Sequence, residues 1–341
     1  MIEAISKLVK GQHLSEPEAG KAMELILSGD ATPSQIAGFV IALRIKGETA
    51  EEIAGLAMAL RAKATPLEVD GKGLLDTCGT GGDALGTFNI STIAAIVATA
   101  CGARVAKHGN RAASSLCGSA DVLEALGVKI DLAPDGAARC IEEVGIAFLF
   151  APIYHQGFRF AAVPRRELGV RTVFNILGPL CNPAGARRQA LGVADPALAG
   201  RMAEVLVRLG VEHALVFHGA DGMDELTTTG PSRVIEVEDG RQHEYILEPQ
   251  ELGLAIAPLA AMRGGGPEEN AAIAREVLAG AKGARRDVVL LNSAAALRAA
   301  GLAADFKEGI GLAGEAIDSG RAGEVLARWA KASQAVPVSG G

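Results

Sequence analysis

The sequence predicts an α/β fold: a small all-helical domain over residues 1–65 joined to a large α/β domain over residues 70–341, with a mostly parallel central sheet. Three observations predict it. Residues 1 to about 65 carry only helix signals, with helix-start motifs followed by apolar residues at helical spacing. From Leu74 onward, short apolar runs alternate with helical stretches, the rhythm of strand–loop–helix units that build parallel sheets. Late in that alternation two runs flank Asp239-Gly240, a hairpin signal.

The elements follow in order. "SEPE" at Ser15–Glu18, "TPSQ" at Thr32–Gln35 and "TAEE" at Thr49–Glu52 are capping boxes, in which an N-cap side chain and the third helical residue satisfy each other's backbone. Ile36, Phe39, Val40 and Leu43 behind the second, and Ile53, Leu56, Ala57 and Leu60 behind the third, form single apolar stripes that must pack on something. Pro66 ends this region, and helices from about 160–185 are expected to complete it. Strands are expected at "LLDT", "ARVAKHG", "IAFLF", "QALGVA" and "HALVFHG", with helices near Val122–Leu126 and Ala197–Leu209 between them. "SRVIEVEDGRQHEYIL" reads as the hairpin, "MRGGGPEEN" as a loop, and Pro267 to Ala332 as helical.

Composition narrows the function classes. A chain of 341 residues can bury a sizeable core, and 49% of it is apolar. No window approaches the roughly 18 uninterrupted apolar residues of a membrane span, and the first residues lack an apolar signal core. The expected location is the cytoplasm, with no membrane partner. Cys78, Cys101, Cys117, Cys140 and Cys181 are scattered, with no C-x-x-C pair, which argues for reduced thiols and against a zinc site. A net charge of −7 excludes broad adhesion to nucleic acid and requires a local basic cluster for any anionic ligand.

In open parallel sheets, ligands collect at the carboxyl ends of the strands. The loop after "LLDT" holds Gly79, Gly81 and Gly82, which permit positive φ and a close backbone approach to a ligand, then Asp83, an acceptor within reach of a metal or its water. Asn89-Ile90-Ser91-Thr92 follows as the start of a helix, an anion site in its own right. Taken alone, the stretch also fits a tight turn with an N-cap. It lacks the lysine of a P-loop. The loop after "RVAKH" supplies Lys107 and Arg111 beside Gly109, Asn110 and small polar residues; an arginine can grip two phosphate oxygens, a lysine acts as a point charge. His108 reads as a structural or donor group rather than a base. The third loop carries Asp224-Glu225, carboxylates suited to Mg2+ or to a solvated turn. A fourth segment, Ala161–Pro183, brings Arg165, Arg166 and Arg171, any of which could meet a carboxylate.

Together, "GTGGD" at Gly79–Asp83, "NIST" at Asn89–Thr92, "KHGNR" at Lys107–Arg111, "RTVFNILGPLCNP" at Arg171–Pro183 and "DGMDELT" at Asp221–Thr227 closely resemble the anthranilate phosphoribosyltransferase family. The resemblance covers nearly the whole chain, and its strength lies in five motifs in one order. It implies a nucleoside phosphorylase-like fold, usually a homodimer. It also implies transfer of phosphoribose from 5-phosphoribosyl-1-diphosphate (PRPP) to the amine of anthranilate, a step of tryptophan biosynthesis. It maps PRPP contacts to Gly79, Gly82, Asp83, Thr87, Asn89, Ile90, Ser91, Thr92, Lys107, His108, Gly109, Asn110, Arg111, Ala112, Ala113, Ser114, Ser115 and Ser119. Anthranilate contacts map to Gly79, Asn110 and Arg165, and metal ligands to Ser91, Asp224 and Glu225, with about two Mg2+ ions per monomer, at least one of them with the diphosphate. Thr80 stands where many relatives carry serine, a mild departure. Lys107, Asp83 and Arg165 are the expected catalytic residues, acting by charge stabilisation and positioning rather than as bases.

Two rivals share the fold. A pyrimidine nucleoside phosphorylase would want a different lysine- and serine-bearing base site. A non-catalytic nucleic-acid-binding relative would lose the loop residues and gain a basic groove, whereas these loops are intact and the chain is acidic.

Overall fold

A computed structural model describes residues 1–112 and 116–335. Four helices come first: α1 (Ile2–Val9), α2 (Glu16–Leu27), α3 (Pro33–Lys46) and α4 (Ala50–Ala62). The capping boxes start three of them. Thr32 and Gln35 exchange hydrogen bonds of 3.0 and 3.3 Å, and Thr49 and Glu52 do the same at 2.8 and 3.2 Å. Glu52 also accepts from Leu14 N at 2.9 Å and Lys46 Nζ at 2.8 Å, so one buried carboxylate ties α3 and α4 to the turn before α2. A Cβ at Gly55 would fall 2.2 Å from Glu16 O, which is why α2 and α4 can pack backbone to backbone there.

Then come β1 (Leu74–Gly79), α5 (Ile90–Ala100), β2 (Arg104–Gly109), α6 (Ser119–Ala125), α7 (Pro134–Val144), β3 (Ile146–Phe150), α8 (Ala151–Tyr154), α9 (Ala162–Leu168), β4 (Arg188–Gly192), α10 (Pro196–Arg208) and β5 (His213–Gly219). β6 (Ser232–Glu238), β7 (Arg241–Leu247), α11 (Pro267–Leu278), α12 (Ala284–Ala300), α13 (Phe306–Asp318) and α14 (Arg321–Gln334) complete the chain. The sheet runs β3-β2-β1-β4-β5-β6-β7. Its first five strands are parallel and the last two antiparallel, joined through Asp239 and Gly240 at φ 48° and 76°, the double positive φ of a tight hairpin turn. Edge strand β7 is mostly exposed, and its polar sequence suits that place.

Two cores flank the sheet. On one face α5, α7, α12 and α14 bury β1, β2 and β3. On the other, α10 and one side of β4, β5 and β6 share a continuous apolar core with α1–α4. The connector between β3 and β4 joins that second core through Ala161, Val173, Phe174, Ile176, Leu177 and Leu180, and Arg61 of α4 donates to Leu180 O at 2.6 Å. The helical layer and the connector therefore pack as one body against the sheet. The chain winds outward from β1 to β3, then returns to β4 on the other side of β1. That reversal opens a crevice at the carboxyl ends of β1 and β4. Among the described residues no helix is long and apolar enough to cross a membrane.

Candidate active site

Three loops meet at that crevice. Gly81 N donates to Asp224 Oδ2 at 2.7 Å, joining the loop after β1 to the loop after β5. Close packing makes the glycines necessary: a Cβ at Gly79 would lie 2.4 Å from Asp224 Oδ2, and one at Gly192 only 1.7 Å from Asp224 O. Gly81 and Gly82 have φ of 63° and 82°. At the first turn of α5, Ser91 N donates to Glu225 Oε1 at 3.1 Å, a carboxylate on a helix N-terminus.

Lys107 reaches into the same place from β2. Its ammonium donates to Thr77 O and lies 3.4 Å from both Thr77 Oγ1 and Ser91 Oγ. It is 2% exposed. Burial lowers its pKa, and Asp76, Cys78 and Glu225 pull it back toward the charged form. Asp76, pushed up to about 6 by burial, accepts from His108 N at 3.1 Å and from Asn182 Nδ2 at 2.8 Å. Burial, then the neighbouring Asp224, push Glu225 up to about 8 against the pull of Lys107. Burial, then Asp83, push Asp224 up to about 6. Asp83 Oδ1 accepts from Leu85 N at 3.2 Å, while its buried Oδ2 has no partner among the described residues. Crowded carboxylates, an orphaned carboxylate oxygen and the Ser91 hydroxyl form an all-oxygen donor set that fits a hard divalent cation.

The other expected residues have the following surroundings. Asn89 caps α5 and is held by Asn270 Nδ2 at 2.9 Å and by its own bond to Cys117 O at 3.3 Å. Thr87 pairs with Arg263 in an isolated bridge, so the "MRGGGPEEN" segment braces the glycine loop rather than running free. Ile90 is buried at the start of α5, and the buried Thr92 Oγ1 has no partner among the described residues. Gly109 allows Ser119 and Phe148 to close in, since a Cβ there would lie 2.4 Å from Ser119 Oγ. Ala112 N donates to Asp121 at 3.0 Å. Ala113, Ser114 and Ser115 lie outside the described residues.

His108 is buried, with Nδ1 3.0 Å from Gly178 O and Nε2 unpartnered among the described residues. Burial, with His155 beside it, pushes its pKa down to about 3, so the ring is neutral at physiological pH and no proton acceptor of useful strength. Its edge-on neighbour, His155, is fixed to Cys181 O at 2.9 Å, with ring centroids 5.1 Å apart. Arg165 lies on α9 with its guanidinium 5.3 Å from the Phe158 ring centre, and burial lowers its pKa; among the described residues it has no carboxylate partner. Asn110 is exposed at the rim and accepts from Arg111 N at 2.8 Å.

Arg111, expected to serve as a cation for the glycine loop, pairs its guanidinium with two carboxylates of α6, Asp121 at 2.9 Å and Glu124 at 2.9 Å. Sequence reading also missed the residues that hold the site from a distance. Asp76, Asn182, His155 and Asn270 carry no local motif, and only the "CNP" and "EEN" context hints at two of them.

Fold and site define a class, a transferase of sugar groups. Residues 2–64 match the helical bundle domain of the glycosyl transferase family and residues 71–323 its a/b domain. Anthranilate phosphoribosyltransferase 2 of Streptomyces coelicolor is 58% identical over 94% of this chain and 96% of its own length. The crystal structure of anthranilate phosphoribosyltransferase from Thermus thermophilus is 49% identical, with a TM-score of 0.93, over 97% of this chain and 99% of that one. The Saccharomyces cerevisiae enzyme in complex with PRPP and Mg is 30% identical, with a TM-score of 0.90, over 98% of each chain. The chain belongs to the anthranilate phosphoribosyltransferase family.

Proposed function

We propose that the protein transfers the 5-phosphoribosyl group of PRPP to the amine of anthranilate, giving N-(5-phosphoribosyl)anthranilate and diphosphate in tryptophan biosynthesis. The observation that carries the reading is the convergence of a glycine loop, a helix N-terminus, a buried lysine and three carboxylates at one sheet end. PRPP occupies Gly79, Gly82, Asp83, Thr87, Asn89 to Thr92, Lys107 to Ala112 and Ser119. Anthranilate meets Gly79, Asn110 and Arg165. Mg2+ is held by Ser91, Asp224 and Glu225, with Asp83 assisting, and about two ions per monomer are expected.

The C1–O bond to diphosphate breaks and a bond from the amine nitrogen to C1 forms, with one amine proton passing to solvent. Bound Mg2+ would neutralise charge on the leaving diphosphate. The chain's own part is positioning. The glycine loop and the positive end of α5 lie toward phosphate oxygens, Lys107 adds a fixed charge behind them, and Arg165 orients the anthranilate carboxylate. An aromatic amine is already a neutral nucleophile, which fits a neutral His108 and the lack of a dedicated base. The protein works as a homodimer in this reading, and its free thiols fit a reducing cytoplasm.

A fluorescence assay tests the proposal. Anthranilate should be consumed only with both PRPP and Mg2+ present. No consumption under those conditions, with phosphorolysis of uridine or thymidine or a shift of DNA in a gel, would move the protein to one of the rivals.

A further inference from the structure

Arg171 stands where the glycine loop needs a cation. Its Nη2 donates to Thr80 O at 3.2 Å, and a Cβ built on Gly82 would fall 1.5 Å from its Nη1, so the guanidinium rests directly on the loop glycine. The bond to Thr80 is its only hydrogen bond among the described residues, and no carboxylate there pairs with it. Its remaining N–H donors have no partner among the described residues. The two cations expected beside the glycine loop are engaged by the protein itself: Lys107 by Thr77, and Arg111 by Asp121 and Glu124. Facing the loop are Asp224, Glu225 and Asp83, which leave the crevice short of positive charge.

We propose that Arg171 is the protein's own cation for the diphosphate of PRPP, delivered from the connector rather than from the loop. This rests on the transferase reading. A planar guanidinium over an exposed glycine backbone forms one anion-binding surface, with N–H groups from both. Gly82 then has two duties: its φ of 82° suits glycine, and its missing side chain leaves the room the guanidinium takes. Arg171 directly precedes Thr172, whose N donates to Asn175 Oδ1 at 2.9 Å, and Val173 and Phe174, which are buried in the core shared with α1–α4. The charge that grips the leaving group is thus anchored in the layer that carries Arg165.

Titration calorimetry with Mg2+–diphosphate and steady-state kinetics with both substrates test this on the full chain. Arg171→Gln should weaken Mg2+–diphosphate binding by about tenfold to a hundredfold and raise KM for PRPP similarly. KM for anthranilate should stay within about threefold, and Arg171→Lys should recover part of the loss. Because Arg171 is exposed, an unchanged melting temperature in Arg171→Gln is expected, and Arg171→Lys repeats the measurement with charge retained. Wild-type diphosphate affinity in Arg171→Gln would overturn the proposal, and so would a rise in KM confined to anthranilate. A wild-type protein that consumes no anthranilate would sink the transferase reading instead.

Discussion

Arg165 and the Asp224-Glu225 pair separate the two halves of the reaction at single-residue resolution. Arg165 is half-buried, rests on Phe158 and lacks an acidic partner among the described residues, an arrangement that an anion would complete. Arg165→Ala should raise KM for anthranilate about tenfold or more and move KM for PRPP far less; an equal rise in both would remove it from the amine site. Asp224 and Glu225 stand side by side, half-buried, and are pushed up to about 6 and about 8, as expected of carboxylates short of a cation. Asp224→Asn with Glu225→Gln should cut Mg2+-dependent turnover on the order of a hundredfold to a thousandfold, with Mg2+ binding lost in parallel in calorimetry. Retained turnover would sink the metal assignment. The residues that were legible in the sequence, Gly79, Lys107, Ser91 and Asp224 among them, sit toward the carboxyl end of a strand, in the loop that follows one, or at a helix start. Their place in the chain already placed them in space. Asp76, Asn182 and Asn270 were not legible as site residues, because each acts on a partner far along the chain. The pairing of Arg111 with the acids of α6 was hidden likewise, since it is set by packing rather than by the motif around it.

At the scale of elements, helix starts were plain because capping boxes are local chemistry, and strands were plain because the parallel ones are buried on both faces. The brace from Thr87 to Arg263 was hidden, since a single bridge between two irregular segments leaves no periodicity to read. Glu52 shows how one cap can exceed its local role. It starts α4, yet it also takes Lys46 from α3 and Leu14 N from the turn before α2, with side-chain exposures of 4% for Lys46 and 0% for Glu52. Glu52→Ala would leave a buried ammonium and two backbone donors without their carboxylate. Chemical unfolding should show a loss of about 3–5 kcal/mol. A loss below about 1 kcal/mol would mean that Lys46 reaches water and that the hub contributes only an ordinary cap.

For the whole molecule, Glu236 is the group through which acid should loosen the sheet. It lies on β6 and ties it to three other elements: His213 Nε2 on β5 at 2.7 Å, Tyr245 OH on β7 at 3.3 Å, and Arg298 of α12 at 2.8 and 3.1 Å. Burial alone would raise its pKa. The hydrogen bonds from His213 and Arg298, with the arginine's charge, outweigh that and hold it at about 2. A folded pKa below the unfolded value of about 4.3 means that the unfolded chain binds the proton more readily. The stabilisation is therefore complete above the unfolded value and is lost as pH falls from there toward 2. Over that window the linkage amounts to about 3 kcal/mol. Glu236→Gln keeps the shape and removes the titration. The stability difference between wild type and Glu236→Gln, followed by urea unfolding from pH 7 down to pH 3, should be largest at neutral pH and shrink steadily below pH 5. The carboxyl ends of β1 and β4 lie at the opposite end of the strands, because His213 opens β5 where Asp224 and Glu225 follow its close. Diphosphate binding at neutral pH should thus be nearly the same in both proteins. A stability difference that stays constant across the range would mean that Glu236 contributes through packing rather than charge, and that the sheet's acid sensitivity lies in other groups.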